Sequence, residues 1–365
     1  MHQYSATSSK KRILVAVLNW GLGHAARCIP LISELLADGH QVTLAADGRA
    51  GILLQKEFPN LKYIELPAYN IRYDSSNMIL NMAWQWPKVL FAALREHKQI
   101  RTLVNQNQVD LVISDNRFGC FSSKIKSIFI THQVWIKTPF SLLSILVNQF
   151  NHWGIKRFDE YWIPDRHQAP RLAGDLSRSI PNPPHRYLGI LSRMVPNLEE
   201  NAAEKKSIVA ILSGPEPQRT RFEQLIIKQA KELDLPILLI QGKAEVKAVE
   251  KKEGKITIRP FASGKDLNAI LLQADLILCR SGYSSIMDLA MLGKRAILIP
   301  TPGQTEQEYL ADLCLKKGWF YSQSQDRFHL HEAIEASKGY HLNPALQENL
   351  NRREELRMAI QGLNS

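Results

Sequence analysis

The sequence predicts an α/β protein of two domains, each built on a doubly wound, open parallel sheet with helices on both faces. The chain has 365 residues, which is more than one hydrophobic core usually organises. In both halves, short apolar runs rich in β-branched residues alternate with helical patterns, as is typical of parallel sheets. A polar stretch at residues 197–206 separates the halves and is typical of an interdomain linker.

The first half, residues 1–196, opens with a buried strand at residues 13–18 that leads into Gly21-Leu22-Gly23-His24. A helix at residues 25–38 and a second strand at residues 41–46 complete a βαβ unit with a glycine-rich first turn. Further along, the sequence predicts strands at residues 63–66, 109–115, 127–131 and 161–165, and a helix at residues 78–105 that breaks near Pro87. A proline-rich stretch at residues 181–184 leads to residues 187–190.

The second half, residues 207–343, repeats this architecture. Its first strand, residues 207–212, precedes a loop at residues 213–217 and a helix at residues 218–233. Further strands are predicted at residues 236–241, 256–258, 276–279 and 296–300. A charged helix is expected over the C-terminal residues 344–365.

Composition indicates a globular protein with an anionic partner. Hydrophobic residues make up 45 % and charged residues 22 % of the chain, as in ordinary folded domains. The formal net charge of +11 favours attraction to nucleic acid, to a phospholipid surface or to a phosphorylated substrate. Because the basic residues are dispersed and no nucleic-acid-binding motif is present, we expect no nucleic-acid partner.

The four cysteines, Cys28, Cys120, Cys279 and Cys314, are far apart and form no CxxC pair. We therefore expect neither a disulfide framework nor a zinc site, and a reducing cytoplasm as the compartment. The polar and basic start of the chain predicts no signal peptide. No apolar run reaches about 18 residues, so no spanning helix is expected. We also expect no bound metal and no cofactor.

The most specific pattern lies in the second half. The run Ala274–Gly293 reads as a strand, the turn Arg280-Ser281-Gly282, and a helix that carries Asp288. A strand ending in Pro300 is then followed by Gln304-Thr305-Glu306-Gln307-Glu308-Tyr309. This order closely resembles the C-terminal domain of the family 28 glycosyltransferases, whose best-known member adds N-acetylglucosamine to the lipid-linked peptidoglycan precursor.

The first half is similar to the same family at two places. Gly21-Leu22-Gly23-His24 resembles the family's glycine-rich loop, and Thr131-His132-Gln133 stands where relatives carry His-Glu-Gln. The resemblance covers nearly the whole chain in order. The chain departs from the family pattern at four places. The first glycine-rich loop has fewer glycines, and Ser213-Gly214-Pro215 replaces a Gly-Gly-Ser type of loop. Asp288 replaces a glutamate, and Glu308 replaces one of two paired glutamines.

The resemblance implies the GT-B fold, in which two Rossmann-like domains face each other across a cleft. It also implies transfer of a sugar, N-acetylglucosamine or another hexose, from a UDP-sugar to an acceptor hydroxyl, which is lipid-linked in several relatives. The N-terminal domain would hold the acceptor and the C-terminal domain the donor. Two other classes stay open: a nucleotide-sugar hydrolase or epimerase on the same fold, and a non-catalytic nucleotide-sugar-binding protein.

The donor diphosphate needs positive potential, and the chain contains no Asp-x-Asp motif of the kind that metal-dependent transferases use. A helix N-terminus offers free N–H groups and the positive end of the helix dipole. Ser281 and Gly282 stand at such a position, where Gly282 would let a phosphate approach the backbone and Arg280 would add a positive charge. The alternative is a tight turn between strand and helix with no ligand.

Asp288 lies two helical turns after Ser281, and the resemblance places it against the two ribose hydroxyls; a solvated or salt-bridged residue is the alternative. Gln304, Gln307 and Glu308 would bind donor-sugar hydroxyls, or would only form a helix N-terminus with Thr305 as its cap. The expected donor-binding residues are Gly21, Gly23, Ser213, Gly214, Arg280, Ser281, Gly282, Asp288, Gln304, Gln307 and Glu308.

His24 is the first candidate for a catalytic base. A helix N-terminus disfavours a charged imidazole, so His24 would stay neutral and able to take a proton from the acceptor hydroxyl. A hydrogen bond that caps the turn is the alternative. Asp115, at the end of its strand, is the competing base or a cap for the next helix. One base and one leaving group on opposite sides of the anomeric carbon predict inversion. His132 and Gln133 are expected to bind the acceptor.

Residues 134–157 combine aromatic and aliphatic side chains with Lys137, Lys156 and Arg157, a composition that suits a segment resting on anionic lipid. Residues 82–91 have a similar composition. A pair of ordinary core helices is the alternative. Because the resemblance favours lipid contact, we expect a cytoplasmic protein that touches the inner face of the plasma membrane.

Overall fold

The computed structural model describes residues 10–69, 78–196, 208–243, 249–262, 264–342 and 353–364. The predicted linker at residues 197–206 lies outside the described residues. So do residues 344–352 of the predicted C-terminal helix. In the described part of the chain, each half contains one seven-stranded sheet.

The N-terminal sheet is parallel throughout. Its strands are β1 (Arg12–Val17), β2 (Gln41–Ala46), β3 (Lys62–Glu65), β4 (Leu111–Asp115), β5 (Lys126–Ile130), β6 (Glu160–Ile163) and β7 (His185–Tyr187). They lie in the order β3-β2-β1-β4-β5-β6-β7. The helices of this half are α1 (Leu22–Ala37), α2 (Gly48–Glu57), α3 (Met78–Asn105) and α4 (Ser141–Ile155).

The C-terminal sheet repeats this order and adds one antiparallel edge strand. Its strands are β8 (Ile208–Ile211), β9 (Ile237–Ile240), β10 (Lys251–Glu253), β11 (Ile256–Arg259), β12 (Leu276–Cys279), β13 (Ala296–Leu298) and β14 (Tyr321–Ser322). The order is β10-β11-β9-β8-β12-β13-β14, with β10 antiparallel to β11. The helices that follow β8 are α5 (Gln218–Glu232), α6 (Gly264–Gln273), α7 (Tyr283–Leu292), α8 (Thr305–Lys316), α9 (Leu330–Ser337) and α10 (Glu354–Gln361).

These sheets confirm the predicted fold class, and every strand predicted from an apolar run is present. The edge strands β7, β10 and β14 were not predicted, because they are short and carry no apolar run. Contrary to prediction, α3 continues through Pro87 without a break. A proline removes one hydrogen bond from the helix, and in a helix of 28 residues the turns on both sides maintain the conformation.

One hydrophobic core cluster runs through both halves. It joins Val15 and Leu44 of the N-terminal sheet to Ile277 and Leu289 of the C-terminal half, all of them buried. A shared apolar cluster of this kind favours the closed arrangement of the two domains, since separating them would expose apolar surface to water.

The C-terminal helix α10 packs on the N-terminal half. Leu356 and Ile360 of this helix are buried in the shared core. On its polar side, Arg357 Nε lies 3.1 Å from an oxygen of Glu34 on α1, and Asn364 Nδ2 donates to Asp38 at 3.1 Å. The chain therefore crosses from the first half to the second and then back again.

A buried charge cluster fixes the carboxyl ends of β1 and β2 against α3. Arg117 is fully buried and donates to Glu96 Oε1 at 2.7 Å, to the carboxylate of Asp47, and to the carbonyl of Val17 at 3.0 Å. Tyr69 O–H donates to the other oxygen of Glu96 at 2.8 Å. Three elements thus depend on one guanidinium.

Replacing Arg117→Ala should destabilise the N-terminal half by about 3–5 kcal/mol, because Glu96 and Asp47 would be left as buried charges without their cation. Urea unfolding followed by circular dichroism measures this loss. Lys231→Ala is the control: it removes an exposed ion pair with Glu253 of 2.7 Å and should cost less than about 1 kcal/mol. An equal effect of the two substitutions would contradict the assignment.

Candidate active site

The site lies where the strand orders of the two sheets reverse, between β1 and β4 and between β8 and β12. Open α/β sheets bind ligands in the crevice outside the carboxyl ends of the strands at such points. The first turns of α1 and α7 meet there, and a Cβ on Gly23 would lie only 2.5 Å from Ser284 Oγ. Gly23 was expected to leave room for the donor; it allows the two domains to touch instead.

His24 and Asp115 form a hydrogen-bonded pair at this point. His24 Nδ1 lies 2.6 Å from Asp115 Oδ1, and the side chains are 15 % and 0 % exposed. Burial lowers the pKa of His24, and the adjacent Arg27 cation lowers it further, against the opposing effect of Asp115. Arg27 Nη2 also lies 3.0 Å from His24 Nδ1. The carboxylate is closer to this nitrogen and, when ionised, only accepts hydrogen bonds, so His24 donates from Nδ1 to Asp115 and keeps the lone pair of Nε2.

Arg27, one turn after His24 on α1, holds Asp115 in place. Its Nε and Nη2 each donate to Asp115 at 2.6 Å, and Cys28 Sγ lies 3.3 Å from the same carboxylate. Burial alone would raise the pKa of Asp115, but Arg27 and His24 outweigh it and hold the pKa well below its ordinary value. Asp115 was expected to be a competing base or a helix cap; as a permanently ionised, fully bonded carboxylate, it orients His24 instead.

His132 connects Arg27 to the C-terminal domain. Arg27 Nη1 lies 2.8 Å from His132 Nδ1, and His132 Nε2 lies 2.8 Å from Glu306 Oε1. A guanidinium only donates, so Nδ1 accepts and Nε2–H donates to Glu306. The ring also stacks on Tyr283, with centroids 4.3 Å apart. His132 was expected to bind the acceptor, but both its nitrogens are engaged with protein groups.

Glu306 comes from the first turn of α8 and reaches across the cleft. It accepts hydrogen bonds from His132 and from Gln133 Nε2, so Gln133 also contacts protein here, where the sequence predicted an acceptor contact. Burial would raise the pKa of Glu306, but His132, His24 and Arg27 outweigh it and lower this pKa. Glu306 therefore places a full negative charge beside the N-terminal domain.

The N-terminus of α7 is bare. Its N-cap is Gly282, no side chain caps it, and a Cβ on Gly282 would meet no atom within 4 Å. Ser281 is buried and donates through Oγ to the carbonyl of Gln307 at 2.7 Å. No side chain of the described residues therefore caps the first N–H groups of this helix, while Ser281 fixes the turn.

Arg280 differs from its expected role. Its guanidinium is fully buried and donates to the carbonyls of Ile299, Pro300 and Gln218 and to Gln325 Oε1, at 2.7–3.2 Å. Burial lowers the pKa of Arg280 to about 10. The side chain points into the domain and joins loops behind the α7 turn, so it adds no contact for a phosphate.

Asp288 lies on α7 beside the chain that leaves the N-terminal sheet. Ser192 Oγ donates to Asp288 Oδ1 at 2.5 Å. Burial raises the pKa of Asp288 to about 6, although the Ser192 hydrogen bond opposes this shift. The carboxylate thus already binds one hydroxyl group, which is the chemistry expected of it toward ribose.

The start of α8 is occupied by local hydrogen bonds. Gln304 is the N-cap residue, and its side-chain oxygen accepts from Gln307 Nε2. Gln307 Oε1 accepts from the backbone N–H of Thr301 at 2.9 Å, and exposed Glu308 accepts from the N–H of Gly303 at 2.9 Å. Thr305 is the first helical residue and not the cap. The expectation that Thr305 is the cap is therefore wrong, and the side chains expected to bind the sugar hold one another and the preceding loop in this structure.

An unpartnered hydroxyl marks the neighbouring loop. Thr301 is 2 % exposed and its Oγ1 has no hydrogen-bond partner within the described residues. A Cβ on Gly214 would lie 3.6 Å from this oxygen, and Ser213 beside it is exposed. Gly21, with φ of +85°, adopts a backbone conformation that other residues rarely take, and the space around it is open. Buried hydroxyls without a partner usually bind a ligand or water.

In the described ranges, no group of three or more His, Cys, Asp or Glu side chains is placed to hold a metal ion. None of the helices in the same ranges is long and apolar enough to cross a membrane.

Two family models match the chain: the glycosyltransferase family 28 C-terminal domain at residues 208–359, and glycosyl transferase family 1 at residues 11–132. The chain is a glycosyltransferase of the GT-B type, and its second half is a family 28 C-terminal domain. The predicted family and enzyme class are thereby confirmed.

Relatives of this glycosyltransferase support the same conclusion. An uncharacterised glycosyltransferase of Methanosarcina acetivorans is 22 % identical over 333 residues, 84 % of each chain. The UDP-N-acetylglucosamine–N-acetylmuramyl-(pentapeptide) pyrophosphoryl-undecaprenol N-acetylglucosamine transferase of Methylobacterium nodulans is 28 % identical over 158 residues, 41 % of this chain and 40 % of its own. A spinosyn rhamnosyltransferase, solved with thymidine diphosphate, is similar with a TM-score of 0.60 at 13 % identity, covering 97 % of this chain and 100 % of its own.

Three residues of the glycosyltransferase's cleft were not found from the sequence: Arg27, Glu306 and Thr301. Arg27 stands three positions after His24, which puts both side chains on one face of α1, so its proximity to His24 was available as a signal. Glu306 gave no such signal, because its partner His132 comes from a distant part of the chain. Thr301 gave none, because burial of its hydroxyl without a partner is visible only in the folded structure.

Proposed function

We propose that this glycosyltransferase moves a hexose, with N-acetylglucosamine as the first candidate, from a UDP-sugar to an acceptor hydroxyl by inversion and without a metal ion. One arrangement supports the proposal above all. A neutral His24, oriented by Asp115, lies on the N-terminal domain opposite the bare N-terminus of α7 on the C-terminal domain, and the first turns of α1 and α7 are in contact.

The donor diphosphate would bind at the α7 N-terminus. Free N–H groups and the helix dipole stabilise negative charge there, and the charge on the diphosphate grows as the bond to the sugar breaks. The open space at Gly282 lets a phosphate oxygen approach the backbone. The positive potential comes from the helix and not from Arg280, whose guanidinium is directed inward.

The nucleoside and the sugar would bind on either side of the diphosphate. Asp288 would accept the ribose hydroxyls, as it accepts the Ser192 hydroxyl in this structure. The hydroxyl of Thr301 and the amides of Gln304 and Gln307 would bind the hexose once their local hydrogen bonds are exchanged for sugar hydroxyls. The donor named for the Methylobacterium relative, UDP-N-acetylglucosamine, contains the nucleoside uridine, whereas the spinosyn enzyme was solved with thymidine diphosphate.

The chemical step needs one base. His24 Nε2 would take the proton of the acceptor hydroxyl while that oxygen forms a bond to the anomeric carbon. The bond between the anomeric carbon and the diphosphate oxygen breaks with its electron pair, so UDP leaves on the opposite face and the configuration inverts. His24 ends as an imidazolium and returns its proton to solvent.

A lipid-linked acceptor is supported by one face of the N-terminal half. On α4 and just before it, Phe140, Leu142, Ile145, Leu146, Phe150 and Trp153 are exposed. On α3, Leu90, Phe91 and Leu94 are also exposed, and both helices contact the loop that carries Phe118 and Phe121. Arg157 lies 3.9 Å from the centre of the Trp153 ring, and Lys137, which pairs with Asp175 at 3.0 Å, precedes α4 in the chain. This pattern suits contact with an anionic membrane, rather than the pair of core helices that the sequence left open.

UDP should raise the melting temperature of the protein in the presence of EDTA, since a ligand at a hundredfold excess over its Kd stabilises the fold by about 2.7 kcal/mol. GDP, TDP and ADP should give smaller shifts. At pH values below about 6 the UDP shift should shrink, because protonated Asp288 loses acceptor capacity.

Gly282→Ala should fold normally, because its Cβ meets no atom, yet lose most of the shift in melting temperature that UDP causes. A full UDP shift in Gly282→Ala would place the diphosphate elsewhere.

His24→Gln should lower kcat/KM for sugar transfer by about a hundredfold to ten-thousandfold, because the general base is removed. Transfer is measured with UDP-sugars against lipid and small-molecule acceptors, and the anomeric configuration of the product by NMR. His331→Gln, an exposed histidine on α9, is the matched control and should keep full activity. Rapid donor turnover in water without any acceptor would identify a hydrolase instead.

The protein should bind vesicles that contain phosphatidylglycerol and bind poorly to pure phosphatidylcholine, with binding weakened by salt. Replacing Leu142→Ser and Leu146→Ser together should reduce vesicle binding at least several-fold without changing the melting temperature, because both side chains are exposed. Val249→Ser, an exposed apolar residue of the C-terminal half, is the control. Equal binding of all variants in flotation assays would remove the support for membrane contact.

A further inference from the structure

The catalytic pair differs from a simple histidine–aspartate pair, because the charge of Asp115 is already used. Arg27 donates two hydrogen bonds of 2.6 Å to this carboxylate, and both residues are buried. An aspartate that is neutralised in this way orients His24 but supplies little net negative charge to the imidazolium that forms during the reaction.

A second carboxylate is present across the cleft. Glu306 is joined through His132 to Arg27, with His132 contacts of 2.8 Å on both sides. The charges of His24 and Arg27 also lower the pKa of Glu306. With His24 neutral, the cluster of Arg27, Asp115 and Glu306 carries one net negative charge. When His24 gains a proton, the cluster becomes neutral.

We propose that Glu306, contributed by the C-terminal domain, is the residue that balances the charge of protonated His24 and so couples domain closure to the strength of the base. The inference rests on the proposed role of His24 as base. Glu306 would not touch the reacting atoms. It is a positioning residue that acts through His132 and through its charge.

The two sides of the interaction lie on different domains. Arg27 and His132 belong to the N-terminal half, and Glu306 is held in place by the first turn of α8, where Thr305 Oγ1 also donates to the carbonyl of Lys137 across the cleft at 2.8 Å. When the domains separate, Glu306 moves away, and Arg27 then acts on His24 without the second carboxylate. The base is therefore strongest in the closed, donor-loaded enzyme.

The charged and titratable groups that face His24 within the described residues come from four elements. Arg27 and Cys28 lie on α1, Asp115 ends β4, His132 follows β5, and Glu306 begins α8. Tyr283 of α7 stacks on His132. Arg27 disfavours the imidazolium, and Asp115 and Glu306 favour it, so removal of Glu306 has a defined sign: His24 should become harder to protonate.

The test is an NMR titration of the full-length protein with 13C-labelled histidine rings, in the presence of UDP, so that no acceptor is needed. The His24 signal is assigned by its absence in His24→Gln. In Glu306→Gln, the titration midpoint of His24 should fall by about half to one pH unit relative to the wild type. Glu306→Asp, which keeps the charge, should return the midpoint toward the wild-type value.

Asp312→Asn is the matched control, since it removes one negative charge from the same helix at an exposed site paired with Lys316. It should leave the midpoint unchanged. An unchanged His24 midpoint in Glu306→Gln would overturn the inference, even if this variant binds UDP-sugars more weakly. That combination would make Glu306 a donor-sugar ligand or a structural contact only.

The outcomes separate this inference from the proposed function. If His24→Gln keeps full transfer activity, the base assignment fails and the inference fails with it. A second readout is the pH profile of kcat/KM, whose fall at low pH reports protonation of the base. If His24→Gln is inactive, and if Glu306→Gln changes neither the NMR titration midpoint of His24 nor this fall at low pH, the base assignment stands and only the role of Glu306 is lost. The inference is supported if Glu306→Gln lowers both the titration midpoint of His24 and the value that kcat/KM reaches at high pH. Both quantities should return part of the way to the wild-type values in Glu306→Asp.

Discussion

The cleft depends on one buried ion pair, the bidentate contact between Arg27 and Asp115. Burying two charges is costly, and the cost is offset here by close geometry and by further hydrogen bonds from His24 and Cys28. Asp115 ends β4 at the switch point of the first sheet, and Arg27 lies on the helix that follows β1. The pair therefore fixes the helix that carries His24 to the strand beside it.

The same pair determines what its neighbours do. Because Arg27 can only donate, it selects the tautomer of His132, and the tautomer of His132 in turn directs an N–H at Glu306. The contact between His132 and Glu306 across the cleft thus follows from the residue type at position 27. Around them, the shared apolar cluster, which includes Val15 and Ile277, keeps the domains together without any directional requirement.

Much of this molecule could be predicted from local patterns. The apolar runs placed the strands, and the glycine-rich turns placed the starts of α1 and α7. His24 was singled out because it closes the first glycine-rich loop, and Asp115 because it ends a strand. Their different environments could not be predicted, because they depend on the two hydrogen bonds that Arg27 donates to Asp115.

Other contacts could not be predicted from the sequence, because they depend on the tertiary structure. Glu306 and His132 are 174 positions apart and meet only because two domains approach. Arg280 has the residue type and position expected of a phosphate ligand, yet its side chain turns toward the carbonyls of Ile299 and Pro300, which follow β13. Local sequence specifies the backbone turn, whereas the direction of a long side chain depends on which unpaired carbonyls the tertiary structure leaves nearby.

The return of α10 to the N-terminal half has a mechanical consequence. Two separate stretches of chain now join the domains, one after β7 and one before α10, and Arg353 Nη2 donates to the carbonyl of Ser192 at 3.1 Å, which ties the two together. Because this hydrogen bond holds the two connections beside each other, we expect the C-terminal domain to turn about the contact between Arg353 and Ser192. Each cycle of opening and closing should then follow the same arc, so that a carboxylate carried on the moving domain returns to the same position every time.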